Sequence, residues 1–361
     1  MIYVVIGTKA QLIKMAPVMV ALRNQGLPYR FISTGQHRET TQGILDNFGL
    51  RGPDHTLYDG PDITSIPHMS LWGARLLWRV FRRREEVFGH KPEGIVLVHG
   101  DTLSTLLGAL MGRAAGLKVG HVESGLRSYN WLHPFPEEIT RLMTFRLTHV
   151  HFCPGNWAVD NLCNYRGEKV NVQDNTLKDA LRIAMRAIAT ADVPIPSHPY
   201  AIVSIHRFEN TFSRKALSRV AATVEKVAKQ VPVLFILHKV TERKLRRFGL
   251  FEQLKDVPAV EFRQRYDYFR FIKLVLRAEF VISDGGSNQE ECHYLGKPIL
   301  LLRKATERRE GLGTNCVLSR HDPDVIQDFL QHYPRYAIRA AERASSPSDL
   351  IAKACARFSH G

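Results

Sequence analysis

Short β-branched apolar runs, each broken by turn residues and followed by a helical pattern, recur along this chain and limit its fold more than any other feature. Ile2 to Ile6 runs into Gly7-Thr8-Lys9 and a helical pattern around Ile13 to Leu22. Tyr29 to Ser33 runs into Thr34-Gly35-Gln36, and Ile95 to Val98 into His99-Gly100-Asp101-Thr102 and a helix-like Thr105 to Ala115. Lys118 to Val122 leads to Glu123-Ser124-Gly125, and Thr148 to Cys153 to Pro154-Gly155. Strands alternating with helices of this length specify βαβ units and a mostly parallel sheet. The rhythm breaks at residues 190–200 (TADVPIPSHPY), whose prolines and small residues suit a linker. It restarts with Ala201 to Ser204, Val233 to Leu237, Ala259 to Phe262, Phe280 to Ser283 and Pro298 to Leu302. The expected fold is α/β, two Rossmann-like domains facing across a cleft, with extents of 1–175 and 199–340 and a linker at 176–198. Ligands of such sheets sit at the carboxyl ends of the strands, so the residues just past each run are the candidate site.

Composition sets outer limits. A chain of 361 residues can form two domains, and 44% hydrophobic with 24% charged residues permits a packed core. The net charge of +15 calls for an anionic partner: nucleotide phosphates, nucleic acid or an anionic membrane. No stretch approaches the roughly 18 apolar residues of a membrane span. The opening MIYVVIGTKAQ lacks a basic start and a cleavage site, and reads as a strand instead of a signal peptide. Five widely spaced cysteines without a CxxC pair argue against a disulfide framework or structural zinc, and for a reducing cytoplasm.

The strand ends of the first half carry carboxylates: Asp101 in H-G-D-T, Glu123 (with Arg127) in H-V-E-S-G-L-R, then Glu137 and Glu138 in P-F-P-E-E. Such a set supplies a general acid and a general base, or holds a cation. Glu137 and Glu138 also suit a helix start after Pro136, which is the simpler account of those two alone. In the second half, S-I-H-R-F-E-N brings His206, Arg207, Glu209 and Asn210 to a strand end, fit for phosphate or a sugar hydroxyl. His238, in L-H-K, is equally a structural histidine or a site residue. S-D-G-G-S-N-Q-E-E (283–291) turns a strand through Gly285, Gly286 and Ser287 into a helix, aiming N–H groups and a dipole at phosphate. Glu290 or Glu291 could grip a ribose diol from that helix. Lys9 and Lys14 in G-T-K-A-Q-L-I-K offer a second phosphate-facing group, or are a solvated lysine pair. Neither G-x-x-x-x-G-K-[ST] nor G-x-G-x-x-G is present, which disfavours ATP hydrolysis and NAD chemistry.

Together these motifs resemble the non-hydrolysing bacterial UDP-N-acetylglucosamine 2-epimerases, from about residue 3 to 320. GTKAQLIKMAPV is similar to that family's GTRPEAIKMAPV and SDGGSNQEE to its SDSGGIQEE, while TGQHRE, VHGDT, HVESGLR, PFPEE-x-x-R, HR-x-EN, LGKP and TER-x-E match in order. The resemblance implies a GT-B arrangement in which a helix in 341–361 packs back on the first domain. It implies anti-elimination of UDP to a bound glycal and re-addition, interconverting UDP-GlcNAc and UDP-ManNAc or a related UDP-HexNAc for surface polysaccharide. The implied catalytic groups are Asp101, Glu123, Glu137 and His206. Lys9, Lys14, Arg127, Arg207, Asn210, Gly285, Gly286, Ser287 and Glu291 would hold the UDP-sugar. No metal and no cofactor is implied, UDP being part of the substrate, and a homodimer is. The chain departs from the family at Lys9-Ala10-Gln11 (for Arg-Pro-Glu), Gln42-Gly43, Thr140, Asp284 to Asn288 and Val172 to Thr176.

Two rivals remain. A GT-B glycosyltransferase passing sugar to a lipid-linked or polysaccharide acceptor is motivated by 71–88, where Arg75, Arg79 and Arg82 form a stripe flanked by Leu71, Trp72, Leu76 and Trp78. That stripe suits an anionic membrane surface, peripheral to its inner face; a domain helix with snorkelling arginines is the simpler account. A nucleic-acid binder is motivated only by +15, and no recognition motif accompanies it, so nucleic acid is not expected.

Overall fold

The computed structural model describes residues 1–36, 41–60, 72, 73, 75, 76, 78, 82, 84–130, 136–340 and 345–359. The expectations for His37, Arg38 and Glu39 of TGQHRE, and for Leu71 and Arg79 of the arginine stripe, lie outside them. The chain divides into two compact units, Met1–Ile183 with Ala344–Gly361, and Ala184–Arg343.

The first unit is built on β1 (Ile2–Ile6), β2 (Tyr29–Ser33), β3 (His55–Thr56), β4 (Ile95–His99), β5 (Lys118–Val122), β6 (Val150–Cys153) and β7 (Glu168–Asn171). Their order is β3-β2-β1-β4-β5-β6-β7, all parallel. The second holds β8 (Ala201–Ser204), β9 (Val233–Leu237), β10 (Val260–Gln264), β11 (Val281–Ser283), β12 (Ile299–Leu301) and β13 (Cys316–Leu318). Their order, β10-β9-β8-β11-β12-β13, is again fully parallel. Each order starts from a central strand and reverses direction once, the Rossmann pattern that leaves a ligand crevice where the direction changes. The two units are therefore Rossmann-like, as the alternation of runs requires.

β1, β4, β8 and β9 are buried at every position, because helices cover both faces of each sheet. Three strands lie outside the expected set: β3, β7 and β13. All three are sheet edges with one neighbour each. Half-exposed edges need no continuous apolar run, so β7 reads Glu-Lys-Val-Asn and carries no strand signal.

The expected linker at 176–198 is not uniform. Leu177–Arg186 is a helix, with Leu177, Ala180, Leu181 and Ala184 buried. Their i, i+3, i+4, i+7 spacing is an apolar helical stripe. The boundary between the units falls within this helix, while 191–196 have neither helix nor strand. At the other end of the chain, the helix Pro347–Cys355 belongs to the first unit and packs on the helix Lys9–Asn24. Asp179 receives the Ser348 N–H at 2.8 Å and the Ser346 hydroxyl at 3.0 Å.

Candidate functional site

In the first unit the chemistry collects at the carboxyl ends of β1, β4 and β5. β4 and β5 pair up to His99↔Val122, so Gly100-Asp101 and Glu123 emerge side by side. A Cβ on Gly100 would lie 3.5 Å from Glu123 Oε2. Glu123 adopts a left-handed backbone, φ 63, which is strained for a side chain of this kind and turns the carboxylate back over the strand ends. The carboxylate is 5% exposed, and three side chains hold it. Lys14 Nζ and Asn175 Nδ2 each donate to Oε1 at 2.7 Å, and His99 Nε2 is 3.2 Å from Oε2. A charge this deep persists only with such partners. Lys14 is thus a buried counter-ion, not half of a solvated lysine pair.

Lys14 reaches Glu123 because the helix Lys9–Asn24 starts at a capping box. Thr8 Oγ1 accepts the Gln11 N–H at 3.3 Å, and Gln11 Oε1 accepts the N–H groups of Gly7 and Thr8 at 2.9 and 3.1 Å. Gln11 Nε2 donates to the His99 carbonyl at 2.7 Å and to Thr105 Oγ1 at 2.9 Å, which ties the helix to the end of β4. Lys9 is the first residue of that helix and is half-buried.

A second carboxylate network surrounds Glu138, which is 1% exposed. Arg127 Nε donates to its Oε1 at 2.6 Å, and the Ser128 N–H and hydroxyl donate to Oε2 at 2.9 and 3.0 Å. Arg141 donates to Oε2 at 3.2 Å and, through its other nitrogen, to Asp101. Burial works to raise the Glu138 carboxyl, but the Ser128 N–H and the Arg127 guanidinium hold it below the usual range. Glu137, one residue earlier, opens the helix Glu137–Leu147 and is half-buried. Of the adjacent acids, Glu138 therefore organises the rim.

In the second unit the ends of β8 and β11 meet around Asp284. It accepts the N–H of His206 (3.0 Å to Oδ1), the N–H of Arg207 (3.0 Å to Oδ2) and Asn210 Nδ2 (2.9 Å), and lies 3.2 Å from His206 Nδ1. Burial alone would raise this carboxyl; the His206 ring and the converging donors bring it down to about 2. The His206 ring stacks on that of His238 at 4.5 Å between centroids and 16° between planes. Arg207 faces Glu307 at 3.6 Å. Burial would raise Glu307, but Arg303, Arg207 and Arg308 bring it to about 2. Arg308 also pairs with Glu290, while Glu291 accepts Asn288 Nδ2 at 2.8 Å. The helix Gly286–Leu295 opens at Gly285 and Gly286, and side chains approach both glycines closely. A Cβ on Gly285 would sit 3.1 Å from His206 Cε1, and one on Gly286 2.7 Å from Arg308 Nε. Ser287, half-buried, follows in the first turn.

The family model described as UDP-N-acetylglucosamine 2-epimerase matches residues 20–347. The chain belongs to the UDP-N-acetylglucosamine 2-epimerase family. The UDP-N-acetylglucosamine 2-epimerase of Methanococcus maripaludis is 31% identical over 342 residues, 91% of this chain and 90% of that one. The UDP-2,3-diacetamido-2,3-dideoxy-D-glucuronate 2-epimerase of Pseudomonas aeruginosa is 32% identical over 316 residues, 85% and 84% of the two chains. The solved structure of the Methanocaldococcus jannaschii UDP-GlcNAc 2-epimerase in complex with UDP-GlcNAc and UDP superposes with a TM-score of 0.80 at 25% identity, covering 98% of each chain. These matches favour the epimerase family over glycosyl transfer.

Within this family member, the structure brings Asp101, Glu123, Lys14 and Arg127 into the networks of the first unit. It brings His206, Arg207, Asn210, Gly285 and Gly286 into that of the second. Sequence reasoning passed over His99 and Asp284 as site residues, took Glu138 only as one of the rim carboxylates or a helix-start acid, and left Arg141 unassigned. His99 and Asp284 stood in the quoted H-G-D-T and S-D-G-G strings; their partners lie 24 and 78 residues away, so only folding shows what they hold. Among the described residues, no group of three or more His, Cys, Asp or Glu side chains converges as a metal site.

Proposed function

We propose that the chain interconverts UDP-GlcNAc and UDP-ManNAc, or a related UDP-HexNAc, as a step toward surface polysaccharide precursors. The observation that carries this reading is Glu123: a buried carboxylate on a left-handed backbone, gripped by Lys14 and Asn175 and faced by His99, beside the Asp101 strand end. Inverting C2 requires removing its proton and returning it to the opposite face, which needs acid/base groups held in fixed positions. The C2–H electron pair becomes the C1=C2 bond of a glycal while the C1–O bond breaks and UDP leaves with its electrons. Re-addition reverses these steps. Asp101, Glu123, Glu137 and His206 are assigned to the proton transfers. Arg207, Asn210, Gly285, Gly286, Ser287 and Glu291, with Lys9, Lys14 and Arg127, are assigned to the UDP-sugar. In this reading Lys14 and Arg127 act largely through the carboxylates they hold. The chemistry calls for neither metal nor nicotinamide, so chelation should leave turnover unchanged.

Purified protein with UDP-GlcNAc in D2O is the test: deuterium at C2 together with UDP-ManNAc supports the reading, and Asp101→Asn should abolish both. No C2 exchange across a panel of UDP-HexNAc sugars would sink it. A homodimer is proposed from the family likeness, and sedimentation velocity decides it. Contact with the inner membrane face is proposed from Trp78, 60% exposed, with the Arg82 guanidinium 4.5 Å over its ring. Vesicles containing anionic lipid should retain the protein at low salt; equal retention by neutral vesicles would count against the contact. No described helix is long and apolar enough to cross a membrane.

A further inference from the structure

Tyr129 holds a conformation that a large side chain rarely adopts, at φ 55, and its ring is 67% exposed. Exposure provides no burial to offset the backbone cost, so the contacts of the side chain must do so. There are two. The Arg127 guanidinium lies 4.6 Å over the ring. The hydroxyl donates to Asn161 Oδ1 at 2.6 Å, and Asn161 Nδ2 in turn donates to the Gly125 carbonyl at 2.8 Å.

Each contact leads to a carboxylate. Arg127 Nε holds Glu138, Glu138 accepts from Arg141, and Arg141 holds Asp101. On the other side Gly125 is two residues beyond Glu123, in a turn where both are left-handed, φ 91 and 63. That turn runs close against the neighbouring backbone, where a Cβ on Gly125 would meet the Ala158 carbonyl oxygen at 2.1 Å. Tyr129 therefore closes the segment 123–129 on itself, and joins the support of Asp101 to the support of Glu123.

We propose that Tyr129 is a positioning residue for the reaction: a strained clasp whose ring holds Arg127 on Glu138 and whose hydroxyl, through Asn161, holds the turn that carries Glu123. It need not touch substrate. The proposal rests on the acid/base role given above to Asp101 and Glu123.

Three variants test it. Tyr129→Gly suits the left-handed backbone, so it should fold with a melting temperature no lower than that of the parent. Its kcat should fall about tenfold or more with little change in KM, as expected when acid/base groups lose their geometry. Among the described residues, the charged and titratable groups facing Glu138 are Arg127 and Arg141 and, through Arg141, Asp101, with Glu137 adjacent. Loosening Arg127 lets the Glu138 carboxyl rise, so the acid limb of the kcat profile should move toward neutral pH. Tyr129→Phe keeps the ring on Arg127 and should restore the acid limb. It should share with Asn161→Ala only the loss from the broken tether, and the double variant should be no worse than either single one. Wild-type kcat and acid limb in Tyr129→Gly, or equal damage in Tyr129→Phe and Tyr129→Gly, overturns the clasp. A second readout does not depend on the substrate: the Arg127 Nε–H resonance should be protected in the parent and in Tyr129→Phe, and lost to exchange in Tyr129→Gly. Persistence of that signal in Tyr129→Gly also overturns the clasp. Failure of the parent to epimerise any UDP-HexNAc overturns only the reading on which it rests.

Discussion

Gln11 shows how one atom type decides a local structure. Its oxygen takes two N–H groups at the start of the helix Lys9–Asn24, and its nitrogen donates to the His99 carbonyl at the end of β4 and to Thr105 in the helix Leu103–Ala114. A carboxylate has no donor for the His99 carbonyl and would face it at hydrogen-bond distance. Gln11→Glu should therefore cost about 1–3 kcal/mol of stability, the usual cost of leaving a buried polar group unsatisfied; urea unfolding measures it, and an unchanged midpoint would contradict this account. The departure from the related Arg-Pro-Glu pattern is thus accommodated structurally: the amide caps the helix as a carboxylate would, and adds a tie to β4. Asp284 works by the same logic with opposite chemistry. As a charged acceptor it gathers donors from His206, Arg207 and Asn210, and so fixes where the strand end of β8 points.

At the level of elements, β5 and β6 are joined beneath the site by a buried chain of His121, Ser124 and His151. Ser124 Oγ lies 3.0 Å from His121 Nδ1 and 2.9 Å from His151 Nδ1, and the two Nε2 atoms face the carbonyls of Gly100 and Arg166 at 2.7 and 3.0 Å. Burial pushes His121 down to about 3, the Gly100 carbonyl opposing and the neighbouring His151 and His99 assisting. Burial likewise pushes His151 down to about 4, against the Arg166 carbonyl. Both are neutral in the folded protein at pH 7, whereas the unfolded chain protonates near the ordinary 6.5. Their contribution to stability is whole above about pH 6.5 and is lost as pH falls toward 4 and then 3. Each should add a slope of about 1.4 kcal/mol per pH unit within that window. Urea unfolding between pH 7 and 5 checks this: a flat profile contradicts it, and a parent slope steeper than that of His151→Phe agrees. No period or spacing in the sequence announced this chain, because Ser124 and His151 are 27 residues apart and meet only through strand pairing.

Across the whole molecule, the first unit is made of two separated pieces of chain. The helix Pro347–Cys355 buries Ile351, Ala352 and Cys355, and Asp179 holds its start through Ser346 and Ser348. Asp179→Ala should lower the stability of the first unit by about 1–3 kcal/mol, since it leaves the Ser348 N–H without its acceptor; a urea midpoint equal to the parent's would refute that. In the networks around Glu123, Glu138 and Glu307 cations serve as counter-ions to buried acids, so the net charge of +15 is carried by residues elsewhere. The sequence by itself determined the two βα arrays, the β-strand ends that bear Asp101, Glu123, His206 and the double glycine, and the family. Those are local properties: a β-branched run followed by turn residues reads the same before and after folding. The edge strands β3, β7 and β13, the split first unit, the choice of Glu138 as the hub of the rim and the partners of Glu123 were decided only by the tertiary structure. Each depends on groups distant in sequence meeting in a low-dielectric interior, where a charge must find its counter-ion and a polar atom its hydrogen bond.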